Sequence, residues 1–158
     1  MIRLRKLRVY VDTPVFGGVE DDEFMEESRR FFSHVQRGNY TVLLSDETLR
    51  ELDLAPESVK AVWKSLEPGN VELVEIDDEV QQLSVAYIDE RILEKTSEGD
   101  ALHVAAATVA DADVILSWNF KHIVNYDRIR GFNGVNLKHG YRALSIISPM
   151  ELDADEQE

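Results

Sequence analysis

Three acids and one amide lie where strands are expected to end or helices to begin. Asp12 follows an apolar strand, Glu51 lies on the helix after the second strand, and Asp100 opens the helix before the fourth strand. Asn119 follows the fourth strand. In open parallel α/β sheets, functional side chains gather outside the carboxyl ends of the strands. We therefore expect these four side chains to converge at one edge of a sheet.

Carboxylates brought close together repel one another and raise each other's pKa. A buried carboxylate without a partner is also unfavourable unless it binds a metal. A divalent cation removes both penalties, and ligand sets made only of oxygen suit Mg²⁺ or Mn²⁺. The pattern predicts a metal site in which an amide, able to ligate through its carbonyl oxygen, joins three carboxylates.

Each of these residues also has a purely structural alternative. Asp12 precedes a Thr-Pro pair and could simply form a turn at the strand end. Glu47 lies one turn before Glu51 on the same helix face and competes with it, and Asp100 could serve only to complement the helix dipole. His103, one turn after Asp100, is expected to be packed or hydrogen-bonded in the core.

Short apolar strands alternate with segments of helical periodicity, which is typical of an α/β domain with a mainly parallel sheet. The predicted strands are 8–11, 40–44, 71–76, 114–117 and 144–147. The first predicted helix has an apolar face from Phe24 to Val35, and the second is capped by Ser45. Further helices are predicted to begin at Pro56, at a cap formed by Asp77 or Asp78, and at about Asp100. The last predicted helix, over 125–140, is interrupted. Residues 1–150 are predicted to form one domain and 151–158 a disordered acidic tail.

The chain has 158 residues, a formal net charge of −14 and no cysteine. This charge repels nucleic acid in general and favours cations or basic protein partners. Without cysteine there is no disulfide framework and no thiolate metal site, so a cytoplasmic location is expected. No apolar run approaches the ~20 residues of a membrane helix, so we expect no membrane association.

Four fragments together resemble the PIN-domain nucleases, which include the VapC-type toxins of toxin–antitoxin pairs. The fragments are YVDTPVFGG, LSDETLREL, GDALHVAAA and VILSWNFKHIVN, and they follow the family's order over roughly residues 7–149. The resemblance implies a three-layer α/β/α fold and metal-binding acids at Asp12, Glu51 and Asp100. It favours Glu51 over Glu47. Many members carry Asp at the fourth position, so Asn119 implies weaker binding of a second ion, or none.

The leading hypothesis is a divalent-metal-dependent endoribonuclease with RNA as its substrate. The bound ion would activate a water molecule for attack on the phosphate. Because the whole chain is acidic, attraction of RNA has to be local. Thr13, Arg50, Lys121 and His122 lie beside the predicted ligands and are the candidate substrate contacts, and the basic residues between Arg3 and Arg8 are a further candidate.

A second hypothesis is a PIN-like module that binds RNA or a protein with weak or no nuclease activity. The neutral Asn119 and the net charge of −14 motivate it. The family resemblance also implies a small antitoxin protein as a partner and a homodimer.

Overall fold

The computed structural model describes the backbone of residues 6–156 and the side chains of residues 6–152. At its centre, these residues form a five-stranded sheet in the order β3-β2-β1-β4-β5, in which all neighbouring strands are parallel. The strands are β1 (Leu7–Val11), β2 (Tyr40–Ser45), β3 (Val71–Val74), β4 (Val114–Leu116) and β5 (Ser145–Ile147). The first strand of the chain is therefore the central one.

Helices cover both faces of the sheet. They are α1 (Thr13–Gly17), α2 (Met25–Gln36), α3 (Asp46–Asp53), α4 (Glu57–Lys64), α5 (Asp78–Asp89), α6 (Glu98–Val109), α7 (Tyr126–Lys138) and α8 (Pro149–Glu156). One core contains residues of α5, α6 and α7, and the other contains residues of α1, α2, α4 and α8. The predicted three-layer α/β/α fold is confirmed. Over residues 6–156 there is no helix with the length and apolarity to cross a membrane.

The side chains of β1 alternate between the two cores. Tyr10 packs with Leu43 and Ile115 on one face, whereas Val9 and Val11 pack on the other. Successive residues of a strand point to opposite faces, and a central parallel strand is covered on both. The fully buried part of β1, Val9 to Val11, contains no charged side chain, and Asp12 follows directly after it.

Local hydrogen bonds explain why α3 and α5 begin where they do. Ser45 Oγ accepts from the backbone N–H of Thr48 at 3.4 Å, and Thr48 Oγ1 accepts from the N–H of Ser45 at 3.2 Å. Asp77 Oδ1 accepts from the N–H of Val80 at 3.0 Å. The predicted cap at Ser45 is confirmed. Of the two residues predicted to cap α5, Asp77 is the one that does so. The first cap fixes α3, which carries Glu51, directly behind β2.

The last helix extends into the segment predicted as an acidic tail. The N–H of Ser148 donates to Glu151 Oε2 at 3.0 Å, and the N–H of Glu151 donates to the carbonyl of Ser148 at 3.1 Å. Leu152 is buried in the same core as α2. Residues 151–156 are consequently helical, because one apolar side chain anchors an otherwise acidic run. Residues 157 and 158 of the predicted tail lie outside the described part of the chain.

Candidate active site

Asp12 is held in a buried position between β1 and β4. Its backbone N–H donates to the carbonyl of Leu116 at 3.0 Å, and the residue is only 2% exposed. The carboxylate accepts from the N–H of Thr13 at 3.0 Å and from Ser117 Oγ at 2.7 Å. Burial raises the pKa of Asp12, although the charge of His103 and the Ser117 hydrogen bond oppose that rise. Asp12 thus caps α1 and also carries a charge whose burial is unfavourable.

Glu51 reaches the same region from α3. Its Oε1 accepts a hydrogen bond from His103 Nε2 on α6 and another from Thr13 Oγ1 at 3.2 Å. The same imidazole nitrogen lies 3.8 Å from Asp12 Oδ1, so two predicted ligands share one neighbour. Burial alone raises the pKa of Glu51, but the hydrogen bond and charge of His103, together with Thr13, bring it below its ordinary value.

His103 joins the carboxylates to the core. It is 1% exposed, and its Nδ1 lies 2.7 Å from the hydroxyl of Tyr10. Burial lowers the pKa of His103, but Tyr10 and the carboxylates of Glu51 and Asp12 raise it well above its ordinary value. The sequence predicted a buried or hydrogen-bonded histidine, and its burial is confirmed. Its contact with Glu51 was not predicted, and the only sequence signal for it was its position one turn after Asp100.

Asp100 and Asn119 form the other side of the cluster. Asn119 Nδ2 donates to Asp100 Oδ1 at 3.3 Å, and the backbone N–H of Asn119 donates to Ser117 Oγ at 2.9 Å. Burial raises the pKa of Asp100, with the charge of His122 opposing the rise. Ser117, which also bonds Asp12, therefore connects this pair to the rest of the cluster.

The carbonyl oxygen of Asn119 already has a partner. Its Oδ1 accepts from the backbone N–H of His122 at 2.9 Å, which closes a tight turn after β4. The sequence predicted this oxygen as a metal ligand. In the structure it stabilises the turn, and the amide nitrogen faces Asp100. This arrangement favours a role for Asn119 in holding Asp100 in place.

The predicted ligands converge in one hydrogen-bonded cluster at the carboxyl edge of the sheet, but they do not form a preformed cage. Among the described residues, no group of three acidic or histidine side chains is arranged to hold a metal ion as it stands. The donor chemistry nevertheless fits a hard divalent cation, because the carboxylates supply only oxygen. Within the described part of the chain, neither Asp12 nor Asp100 forms an ion pair with Lys or Arg. The nearby positive charges that stabilise their carboxylates are those of the imidazoles of His103 and His122.

Solved structures share this architecture. VapBC2 from Rickettsia felis, bound to a DNA fragment from its promoter, is similar with a TM-score of 0.59 at 12% identity over 90% of this chain and 98% of that chain. A toxin–antitoxin complex from Klebsiella pneumoniae is similar with a TM-score of 0.56 at 15% identity, over 76% of this chain and 93% of that chain. VapC20 from Mycobacterium tuberculosis, a sarcin–ricin loop cleaving toxin, is similar with a TM-score of 0.54 at 14% identity, over 71% of this chain and 92% of that chain.

This chain has a PIN-domain fold. The resemblance of the four sequence fragments is thereby confirmed for the fold. No protein-family model matches the sequence, and no curated protein matches it. At these identities the structural likeness of this PIN domain shows its fold alone.

The predicted substrate contacts of the PIN domain take different positions. Thr13 contacts Glu51, and Arg50 forms an exposed ion pair with Glu47 on the same helix. Glu51 is therefore the acid of α3 that reaches His103, whereas Glu47 pairs outside the cluster.

Lys121 and His122 lie on the loop of the PIN domain that follows Asn119. Lys121 is exposed, and His122 Nδ1 lies 3.2 Å from Ser97 Oγ. Both residues therefore lie on the carboxylate side of the sheet, and Lys121 supplies a positive charge there.

Arg8, part of the basic segment predicted as a further RNA contact, lies at the opposite end of the sheet. It pairs with Glu72 at 2.6 Å and donates to the carbonyls of Ala110 at 3.0 Å and Asp111 at 2.9 Å. These bonds occupy its guanidinium at the amino end of β1, away from the carboxylate edge of the sheet. Arg3 and Arg5 lie outside the described residues.

Trp118 anchors the loop of the PIN domain that carries Asn119. Its Nε1 donates to Ser28 Oγ at 2.8 Å, and its ring stacks on Phe24 with a centroid distance of 4.1 Å. A Cβ on Gly18 would clash with Ser28 Oγ and lie 3.0 Å from Trp118 Nε1, so a glycine is needed beside this hydrogen-bonded pair. Trp118 is therefore a core anchor of this loop.

Proposed function

We propose that this PIN domain is a divalent-metal-dependent endoribonuclease. The observation that carries the proposal is that Asp12, Glu51 and Asp100, from distant parts of the chain, belong to one cluster at the carboxyl edge of the sheet. Burial raises the pKa of two of these acids, which marks negative charge that a cation would stabilise. The likeness to VapC20, a sarcin–ricin loop cleaving toxin, supports RNA as the substrate class.

Asp12, Glu51 and Asp100 would hold Mg²⁺ or Mn²⁺ in this proposal. A divalent ion, when bound, supplies Lewis-acid activation of water and of the scissile phosphodiester. The chain's own residues fix the ligands: Ser117 orients Asp12, His103 orients Glu51, and Asn119 orients Asp100.

The protein environment also determines how many ions bind and how RNA is attracted. Because Asn119 is neutral and its carbonyl oxygen already accepts a hydrogen bond, we propose that the active protein binds one metal ion. Lys121 would supply local positive charge for the RNA backbone, and His122 and Arg50 remain the further candidate contacts.

Substitution Asp12→Asn tests the proposal. The amide keeps the size of the side chain and can still cap α1, so the fold should be retained, while a ligand charge is lost. We expect cleavage of a mixed fluorescent RNA pool in Mg²⁺ or Mn²⁺ to disappear. Asp111→Asn is the matched control, because Asp111 pairs with Arg142 at the opposite end of β4. Cleavage that is unchanged in Asp12→Asn contradicts the assignment.

A second candidate function is an RNA- or protein-binding PIN domain that does not cut. The engaged carbonyl of Asn119 and the net charge of −14 favour it. Calorimetry with Mn²⁺, run beside the RNA assay, separates the two functions. Firm Mn²⁺ binding without cleavage of any RNA in the pool would favour the binding module.

We further propose a small antitoxin protein as partner, with the protein acting in the cytoplasm as a homodimer. The fold likeness to VapBC2 and to the Klebsiella pneumoniae toxin–antitoxin complex supports the antitoxin. The proposal predicts that the product of an adjacent reading frame binds the purified protein and suppresses its RNA cleavage. Inhibition should be lost when that product is omitted from the reaction.

A further inference from the structure

Glu51 is much more exposed than Asp12, yet one of its oxygens is fixed by two donors. Its side chain is 35% exposed, compared with 3% for Asp12. Oε1 nevertheless accepts from His103 Nε2 and from Thr13 Oγ1 at 3.2 Å. A glutamate on a surface helix ordinarily samples several rotamers, so these donors restrict its carboxylate.

The imidazole of His103 is itself held by buried groups on its other side. Its Nδ1 lies 2.7 Å from Tyr10 Oη, which lies 2.7 Å from Ser45 Oγ. Tyr10 and Ser45 are fully buried, and the Tyr10 ring meets the His103 ring edge-on at 5.8 Å. These contacts leave the imidazole little freedom to turn.

The chemistry of the donors sets the orientation of the ring. A carboxylate only accepts hydrogen bonds, so Nε2 carries the proton that faces Glu51. In the neutral ring Nδ1 then accepts from the Tyr10 hydroxyl, and in the charged ring the Nδ1–H donates to the Tyr10 oxygen. Both ring nitrogens are occupied, which makes His103 unsuitable as a direct ligand of a cation.

We infer that Tyr10 and His103 form a positioning relay for Glu51. His103 holds Oε1, which leaves the second carboxylate oxygen available to a cation, and Tyr10 fixes the ring that does so. The inference rests on the proposed metal site and extends it by two residues that do not touch the ion. Partners of this kind, once removed, typically weaken metal binding about 10- to 100-fold.

Mn²⁺ titration calorimetry on four variants tests the relay. We expect His103→Leu to weaken Mn²⁺ binding at least about tenfold, and Tyr10→Phe to weaken it by less. His103→Gln keeps an N–H donor on a side chain of similar reach and should restore most of the affinity. Tyr87→Phe is the matched control, because Tyr87 is a buried tyrosine whose hydroxyl donates to Asn136 at 2.5 Å, outside the carboxylate cluster.

Thermal unfolding in EDTA separates the relay from a structural role. Tyr87→Phe should lower the Tm without changing Mn²⁺ affinity. If His103→Leu behaves in the same way, His103 only stabilises the fold and the relay is overturned. If His103→Leu fails to fold, wild-type affinity in Tyr10→Phe overturns it instead.

The same titration distinguishes failure of the relay from failure of the proposed function. If the wild-type protein binds no Mn²⁺, the proposed metal-dependent nuclease is refuted, and the relay is refuted as well because it depends on the metal site. A wild-type protein that binds Mn²⁺, beside a His103→Leu variant that binds equally tightly, refutes the relay alone.

Discussion

Ser117 connects the two halves of the carboxylate cluster through a single oxygen, which makes Ser117→Ala an informative perturbation. Its buried Oγ donates to Asp12 Oδ2 at 2.7 Å and accepts from the N–H of Asn119 at 2.9 Å. Alanine fits the same space but removes both hydrogen bonds. Asp12 then keeps its burial and loses a donor that lowers its pKa.

The two lost bonds set the expected magnitude. A hydrogen bond to a charged group contributes about 1.5–3 kcal/mol and a neutral one about 0.5–1.5 kcal/mol. We therefore expect the free energy of unfolding in EDTA to fall by roughly 2–4 kcal/mol. For a protein of this size, that corresponds to a decrease in Tm of roughly 4–16 °C.

Urea unfolding in EDTA, followed by calorimetry with Mn²⁺, measures both consequences. Thr108→Val is the control, because Thr108 is also a buried hydroxyl but its side-chain partners, Tyr87 and Asn136, are neutral. It should destabilise the protein without affecting Mn²⁺ binding. In an Asp12→Asn background, the penalty of Ser117→Ala should shrink toward that of a neutral bond, as a double-mutant cycle would show. A Ser117→Ala protein within about 0.5 kcal/mol of wild type would refute this reasoning.

Two further predictions concern the pH dependence of stability and the loop after β4. Burial raises the pKa of Asp12 above its usual 3.8, so the stability it contributes is present below that pH and lost as pH rises through the folded-state pKa. In EDTA, Asp12→Asn should therefore gain stability relative to wild type as the pH rises above about 4, and a stability difference that does not change with pH would contradict this. Gly18→Ala places a Cβ against Ser28 Oγ and 3.0 Å from Trp118 Nε1, so it should disturb their hydrogen bond, cost about 1–3 kcal/mol and shift the tryptophan emission, whereas unchanged stability would exclude the clash.

The fold was predictable because its signals are local. Side-chain alternation in β1 and the caps at Ser45 and Asp77 involve residues within a few positions of each other. These signals give the strand ends, and strand ends give the edge of the sheet where Asp12 lies. The general position of the site therefore followed from the sequence.

The partners within the site were not predictable, because they depend on long-range packing. His103 and Glu51 are 52 residues apart, and Ser117 and Asp12 are 105 apart. Neither separation leaves a periodic signal in one sequence. The same limit applies to the contact of Asn119 with Asp100, which are 19 residues apart, whereas the bond from the N–H of His122 to the Asn119 carbonyl is local and was not predicted either.

The position of β1 in the middle of the sheet has a consequence for synthesis on the ribosome. Asp12 is translated about a hundred residues before its neighbours at the end of β4, as the 105-residue separation from Ser117 shows. A nascent chain therefore carries isolated acids until the segment beyond residue 119 has emerged from the exit tunnel. If the protein cuts RNA as proposed, the transcript being decoded is protected from its own product until that segment has emerged and folded.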